Sequence, residues 1–105
     1  MTGKISKADV KTANAVSYMK QLCRHWGHKF AVEFDDLQGR IELPQAVCVL
    51  TASDAELGVR LEMPDEADEG RMEKVVEEHL QRFGFREELV FVWTHGVREE
   101  GRSDG

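Results

Sequence analysis

Residues 32–63 read VEFDDLQGRIELPQAVCVLTASDAELGVRLEM, and this stretch decides the fold. Apolar residues alternate with charged ones in three places: at Val32 and Phe34, at Ile41 and Leu43, and over residues 57–63. Between them lies the apolar run 46–52, which is typical of a central strand. Turn-rich residues separate the four segments. The stretch therefore predicts four successive strands with short connections, an antiparallel meander.

An additional strand and a helix precede the meander. Ala8, Val10 and Thr12 alternate with charged residues and predict a first strand. Thr12 or Asn14 can cap a helix over residues 13–26, because each offers a side-chain oxygen to the first-turn amides. The apolar residues of this helix recur at helical spacing and are Val16, Met19, Leu22, Cys23 and Trp26, continued by Phe30. The helix is therefore predicted to be amphipathic.

A second helix and a last strand follow the meander. Pro64 and Asp65 are predicted to open the helix. Gly84 is predicted to end it in the left-handed conformation, with Phe85 folded back onto Leu80. The helix has a predicted apolar face of Met72, Val75, Val76, Leu80 and Phe83. Residues 89–94 (LVFVWT) are predicted to form the last strand, and residues 96–105 a disordered tail.

The predicted order β-α-β-β-β-β-α-β indicates an α+β domain over residues 1–95. It has a single antiparallel sheet with both helices packed on one face. The other face is expected to carry Glu33, Asp35, Arg40, Glu42, Arg60 and Glu62. An apolar strip on the run 46–52 is expected to interrupt these charges. The strip is either Val47 and Val49, or Ala46, Cys48 and Leu50. Alternate residues of the segment 89–93 are expected to extend it. Such a face is a candidate surface for a partner or for self-association.

Charge is uneven along the 105 residues, which have a net charge of −6. Residues 1–30 contain six basic residues and one acidic residue, whereas residues 31–105 contain eight basic and nineteen acidic residues. The overall negative charge argues against nucleic-acid binding. The basic first segment either receives a small anionic ligand or lies beside the acidic second helix and neutralises it.

The sequence predicts a cytoplasmic location. The longest apolar runs are too short to span a bilayer, and the N-terminal residues lack the apolar core of a signal peptide. Two cysteines in apolar positions do not make a disulfide framework. The same apolar positions make both thiols poor nucleophiles. No catalytic residue and no bound cofactor are therefore predicted.

Three residues of the first helix read C-x-H-x-x-H and resemble a metal motif. At about 100° per residue Cys23 faces the core, whereas His25 faces away from it, and so does His28 if the helix continues that far. Gly27 can instead end the helix at Trp26 and change the direction of His28. The two histidines are candidate ligands for Fe or Zn, with Gln21 and Ser17 on the same side. They would need further ligands from elsewhere, so solvent-exposed histidines are the alternative interpretation.

His79 projects into the apolar face of the second helix. A buried imidazole needs a hydrogen-bond partner, and a backbone carbonyl, Tyr18 or a carboxylate can supply one. The alternative is a ligand-binding or catalytic histidine, since perturbed histidines collect in clefts. A small metal-dependent or acid–base enzyme centred on His79 is thus the second functional hypothesis.

Four strings resemble a known family: residues 18–29 (YMKQLCRHWGHK), 32–34 (VEF), 39–41 (GRI) and 79–87 (HLQRFGFRE). They are similar to the bacterial domain-of-unknown-function family 2218, and the similarity runs from about residue 8 to residue 93. The resemblance implies a small α+β domain without an assigned activity. It also implies an association with siderophore-interacting, flavin-dependent ferric reductases, whose redox chemistry would belong to that partner. The strings contain the candidate ligand or partner residues Tyr18, Gln21, Lys29, His79 and Arg86.

The first functional hypothesis is therefore a non-catalytic binding or accessory module linked to iron–siderophore use. Its binding surface is either the open sheet face or the basic first helix with its histidines. The expected partner is a siderophore-interacting ferric reductase or a small anionic ligand.

Overall fold

A computed structural model describes residues 2–99 of the chain, which form a β-sheet layer and a layer of two helices. The elements in chain order are β1 (Thr2–Lys11), α1 (Ala15–Trp26), β2 (Val32–Phe34), β3 (Gln38–Leu43), β4 (Ala46–Ala52), β5 (Glu56–Pro64), α2 (Glu69–Phe83) and β6 (Thr94–Glu99). The predicted fold class and element order are confirmed. Neither helix has the length and apolar content needed to cross a bilayer.

The sheet has six antiparallel strands in the order β2-β3-β4-β5-β1-β6. Strands β2 to β5 form the predicted meander. Strand β1 then lies between β5 and β6, with Ala8 opposite Val59 and Lys7 opposite Thr94. The first strand of the chain is therefore an inner strand whose two neighbours are the last two strands in sequence.

The core lies between one face of the sheet and the two helices. Alternation along β4 turns Ala46, Cys48 and Leu50 inward, where they are buried, and leaves Val47 and Val49 half-buried on the other face. Of the two predicted apolar strips, the structure thus selects Val47 and Val49. The largest fully buried side chains come from both layers and include Met19, Leu22, Ile41, Leu50, Leu61, Met63 and Leu80.

Helix α1 lies close to strand β3 because residue 39 has no side chain. A Cβ at Gly39 would lie 2.8 Å from Sγ of Cys23 and 3.5 Å from Cγ of Met19. Cys23 faces the core as predicted and is fully buried. Gly39 thus sets the separation between the first helix and the sheet.

Helix α2 begins at Glu69, later than the predicted opening at Pro64 and Asp65. Pro64 instead ends β5, where it pairs with Gly3 at the end of the ladder. Oδ1 of Asp68 accepts a hydrogen bond from the Arg71 amide, so Asp68 is the N-cap. For α1 the N-cap is Asn14, without a side-chain cap bond, while Oγ1 of Thr12 accepts from the Asn14 amide.

The predicted end of α2 was wrong in conformation. Gly84 has φ −98°, outside the left-handed region. Glycine is needed there for space, because a Cβ would lie 3.0 Å from Cδ1 of Leu89 and 3.0 Å from Cζ of Tyr18. Phe85 does not fold back onto Leu80, since it is 74% exposed.

The predicted last strand over residues 89–94 was also wrong, because the segment before Thr94 packs along α2. The side chain of Gln81 accepts from the Leu89 amide at 3.0 Å and donates to the carbonyl of Glu87 at 2.9 Å. Trp93 Nε1 donates to the carboxylate of Glu77. The Leu89 amide and the Trp93 indole are thus bonded to α2, and residues 89–93 form no strand and add no strip to the open sheet face.

Strand β6 covers Thr94–Glu99 and therefore extends into the segment predicted as a tail. The rest of that predicted tail, residues 100–105, lies outside the described residues. Ser6 lies opposite His95 in the β1–β6 ladder, so His95 is on the helix side of the sheet.

Candidate functional site

The seam between the two helices gathers two histidines and two large aromatic side chains. The ring centroid of His79 lies 4.9 Å from that of Trp26 and 5.1 Å from that of His25. The His25 ring also meets the Phe83 ring edge-on, at 6.1 Å. These four residues are called the histidine–aromatic cluster. It joins two candidate residues that are 54 positions apart in sequence.

His79 is held by the main chain of its own helix. Its Nδ1 lies 2.7 Å from the carbonyl oxygen of Val75, one turn earlier, and the residue is half-buried. A carbonyl only accepts, so Nδ1 carries a proton and donates it to Val75. Of the three partners that the sequence left open, the structure shows the backbone carbonyl. An orienting carboxylate, which an acid–base enzyme would favour, is not the partner of Nδ1.

His25 has an environment that disfavours its charged form. Partial desolvation lowers its pKa from the ordinary 6.5, and the neighbouring charges of His79, Arg82, His28 and Lys29 lower it further. The residue is exposed, although its ring packs in the cluster. The seam is thus an aromatic surface in a positive field, neutral at His25 itself.

A surface pocket adjoins the cluster and brings Tyr18 and Arg86 together. Its volume is about 580 Å³, and Phe83 belongs both to its wall and to the cluster. The guanidinium carbon of Arg86 lies 5.4 Å from the centroid of the Phe85 ring. The lining residues are Ala13, Asn14, Tyr18, Phe83, Phe85, Arg86 and Glu87.

Glu87 forms the polar floor of the pocket. Its Oε2 accepts hydrogen bonds from Tyr18, from Nδ2 of Asn14 at 3.0 Å and from Oγ1 of Thr12 at 3.0 Å. These donors hold the pKa of Glu87 below its ordinary value. Burial, followed by the Glu87 carboxylate, raises the pKa of Tyr18. Tyr18 is thus a protonated donor that points at Glu87, and Arg86 is the cation among the described residues that line the pocket.

The remaining predicted site residues lie outside this arrangement. Nε2 of Gln21 donates to Oγ of Ser17 at 3.1 Å, so these two share one side of α1 as predicted. Lys29 is exposed beyond the end of α1, and its amide donates to the carbonyl of Trp26 at 3.0 Å. His28 is also exposed, and its charge is among those that lower the pKa of His25.

Residues 2–99 contain one group of three side chains whose ligand atoms converge within 4.8 Å, and His25 and His28 are not part of it. The group is Glu69, Glu73 and His95. Nε2 of His95 lies 2.6 Å from Oε2 of Glu73, and the fully buried Ser6 hydroxyl lies 2.7 Å from the same oxygen. The hydroxyl is also 3.0 Å from Oε2 of Glu69. This network ties β1, α2 and β6 together.

The sequence analysis missed that network. His95 is exposed, yet its Nε2 reaches a glutamate of α2, and the separate sequence segments did not indicate that contact. The signal present in the sequence was the spacing of Glu69 and Glu73, which places them one above the other on a helix. Without the register of β6 nothing connected them to Ser6.

The thiols of Cys23 and Cys48 are poor nucleophiles. Burial raises the pKa of Cys23 to about 11 and that of Cys48 to about 12. Both are free and fully buried. Because the thiolate is the nucleophile, neither cysteine offers one near neutral pH.

Comparison with known proteins gives two similarities. Residues 7–94 match the family described as "Uncharacterized protein conserved in bacteria (DUF2218)". The fold is similar to the NMR structure of PA4090 from Pseudomonas aeruginosa, with 38% sequence identity and a TM-score of 0.72. That similarity covers 86% of this chain and 94% of the other. Among curated proteins there is no match.

Proposed function

We propose that this chain, which belongs to the DUF2218 family of uncharacterized bacterial proteins, is a non-catalytic cytoplasmic module that binds an anionic aromatic ligand. The ligand lies on the seam between α1 and α2, over the histidine–aromatic cluster and beside the exposed Arg86 of the adjoining pocket. The ligand class we propose is a ferric catecholate siderophore, which presents aromatic rings and negative charge together.

The observation that carries this proposal is the combination of ring faces and cations on one surface. The His25 and Phe83 rings lie 6.1 Å apart at the outer part of the cluster. Arg82, beside His25, and Arg86, in the pocket, are both exposed. Aromatic side chains stack on planar ligands, and guanidinium groups pair with anionic oxygens. A ligand that is both planar and anionic can contact the rings and the guanidinium groups at once.

A binding role accounts for the seam better than catalysis does. The Nδ1 proton of His79 is committed to the Val75 carbonyl, and Tyr18 is committed to Glu87. The thiols have pKa values of about 11 and about 12. These groups are thus fixed in structural bonds or buried. Any reduction of a bound ferric complex belongs to a partner reductase, for which the same cationic seam is the proposed contact.

The test is an amide NMR titration with a gallium-loaded catecholate siderophore, because Ga(III) replaces Fe(III) without paramagnetic broadening. Saturable shifts are expected for residues 18–29 and 79–87, with none on β3 to β5. A gallium hydroxamate complex is the comparison ligand, since it has neither aromatic rings nor a negative charge.

The matched variants are His25→Ala, which removes an exposed imidazole inside the seam, and His95→Ala, which removes an exposed imidazole outside it. His25→Ala is expected to weaken catecholate binding by about tenfold, the effect of one lost ring contact. His95→Ala is expected to bind as the parent chain does. Equal binding by both variants, or equal shifts with the hydroxamate, would contradict the proposal.

A further inference from the structure

The central strands of the sheet face opposite the helices carry charges in two adjacent cross-strand rows. Glu33, opposite Arg40 at the β2 edge, and Asp9, on β1, are charges of the same face outside this central pattern. The first row, read across β3, β4, β5 and β1, is Arg40, Val49, Arg60 and Lys7. The second row, read across the same strands, is Glu42, Val47, Glu62 and Ile5. One row is therefore cationic and the next is anionic, each with an apolar residue on the central strand β4.

Ion pairs along the strands join the two rows, and one of these pairs leaves a buried donor without an aligned acceptor. Nη1 of Arg40 lies 2.6 Å from Oε2 of Glu42, and both side chains are about half exposed. Nε of Arg60 lies 2.9 Å from Oε2 of Glu62. Although that atom is buried, it makes no hydrogen bond with any described residue. The Arg60 guanidinium is thus held by charge, without an aligned acceptor for Nε.

We propose that this face binds the same face of a second copy of the chain, forming a two-fold symmetric dimer. A two-fold axis that runs between the two rows, parallel to them, sets the cationic row of one copy against the anionic row of the other. Arg60 then faces Glu62 of the partner subunit, and Arg40 faces Glu42 of the partner subunit. Val49 faces Val47 of the partner subunit at the centre.

The row pattern identifies a second copy as the occupant. A polyanion or a polycation would meet one favourable row and one repulsive row, whereas an identical face matches both at once. A two-fold interface is self-complementary in this way by construction. Aligned sheets pack with a twist of about 30°, which displaces contacts at the outer strands most. The pairs on β4 and β5, the third and fourth of the six strands, are displaced least.

The first measurement is sedimentation of the full chain over a range of concentration and salt. The mass is expected to rise from that of the 11.9 kDa monomer to twice that value as concentration increases. High salt is expected to shift the midpoint to higher concentration, because the pairs lie at a partly exposed surface. A monomer at every concentration in low salt would overturn the proposal.

Two charge-reversal variants then test the pairing directly. Arg60→Glu gives a face with two adjacent carboxylates, and Glu62→Arg gives a face with two adjacent guanidinium groups. Each variant alone is expected to be monomeric, because residues 60 and 62, which face each other twice in the dimer, then carry like charges. Mixed in equal amounts they are expected to form a heterodimer, since each carboxylate then meets a cation.

Controls make the outcome specific to this face. Lys74→Glu and Glu78→Arg make the same charge changes at exposed positions of α2 and are expected to dimerise as the parent chain does. If the β5 variants fail to fold, as shown by their amide spectra, Arg40→Glu and Glu42→Arg test the more exposed pair on β3. Parent-like dimers of the single reversals, or mixtures that stay monomeric, would place the interface elsewhere.

Discussion

Replacing Gly39 by alanine tests whether contact with Cys23 sets the distance between α1 and the sheet. The new Cβ would lie 2.8 Å from Sγ of Cys23, about 1 Å inside an ordinary non-bonded separation. Both positions are fully enclosed, so either the helix or the strand must shift. Overpacking of this kind costs about 1–3 kcal/mol of the free energy of unfolding.

The same contact predicts a rescue. Cys23→Ala alone is expected to cost about 1 kcal/mol, because it removes one buried sulfur and leaves a small cavity. In the Gly39→Ala/Cys23→Ala double variant the added methyl group fills the space that the sulfur occupied. The loss in the free energy of unfolding of the double variant is therefore expected to be smaller than the sum of the two single losses by at least about 1 kcal/mol.

Urea unfolding followed by far-UV circular dichroism measures all of these free energies. Gly70→Ala is the matched control, since a Cβ there meets nothing within 4 Å and lies in the first turn of α2. It is expected to stabilise the chain by about 0.5–1 kcal/mol. A neutral Gly39→Ala, or strictly additive losses in the double variant, would refute the steric reasoning.

Three more predictions concern titratable groups. The lowered pKa of Glu87 means that its contribution to stability is present above its ordinary pKa of 4.5 and is lost as the pH falls through the depressed value. Glu87→Gln should therefore lower the melting temperature at pH 7, and this difference should vanish in acid. The pKa of His25, measured by NMR, should lie below 6.5. Because the unfolded chain then takes up this proton more readily, the free energy of unfolding should fall as the pH drops below 6.5. Arg82→Gln should raise the pKa of His25. Cys23 and Cys48 should resist a thiol reagent in the folded protein at neutral pH and both react in denaturant.

The meander was predictable because its strands obey one local rule. Alternation fixes which side chains of β3 and β5 are buried, and the run Ala46–Ala52 was predicted with the bounds it has. The final strand was not predictable by the same rule. Residues 89–93 alternate well, yet the Leu89 amide bonds to the Gln81 side chain and the Trp93 indole bonds to Glu77. Both are tertiary contacts that the alternation within the segment does not indicate.

The histidines of the seam were predictable one at a time. Helical projection placed His79 on the apolar face of its helix and His25 on the outer side of the other. Nothing in either helix alone says that the two rings lie 5.1 Å apart, because that distance depends on how the helices pack. Gly84 was misassigned for a related reason, since its lack of a side chain serves Tyr18 and Leu89 and not the local backbone.

The place of β1 in the sheet has a consequence for how the chain is made. Both neighbours of β1 come late in the sequence: Lys11 pairs with Glu56, and Thr2 pairs with Glu99. As a ribosome releases the chain, the first strand emerges with no edge to join until β5 follows more than forty residues later. Domains fold as units during synthesis, and unpaired strand edges promote aggregation. Nascent chains that stall before β5 should therefore be the ones that need chaperones.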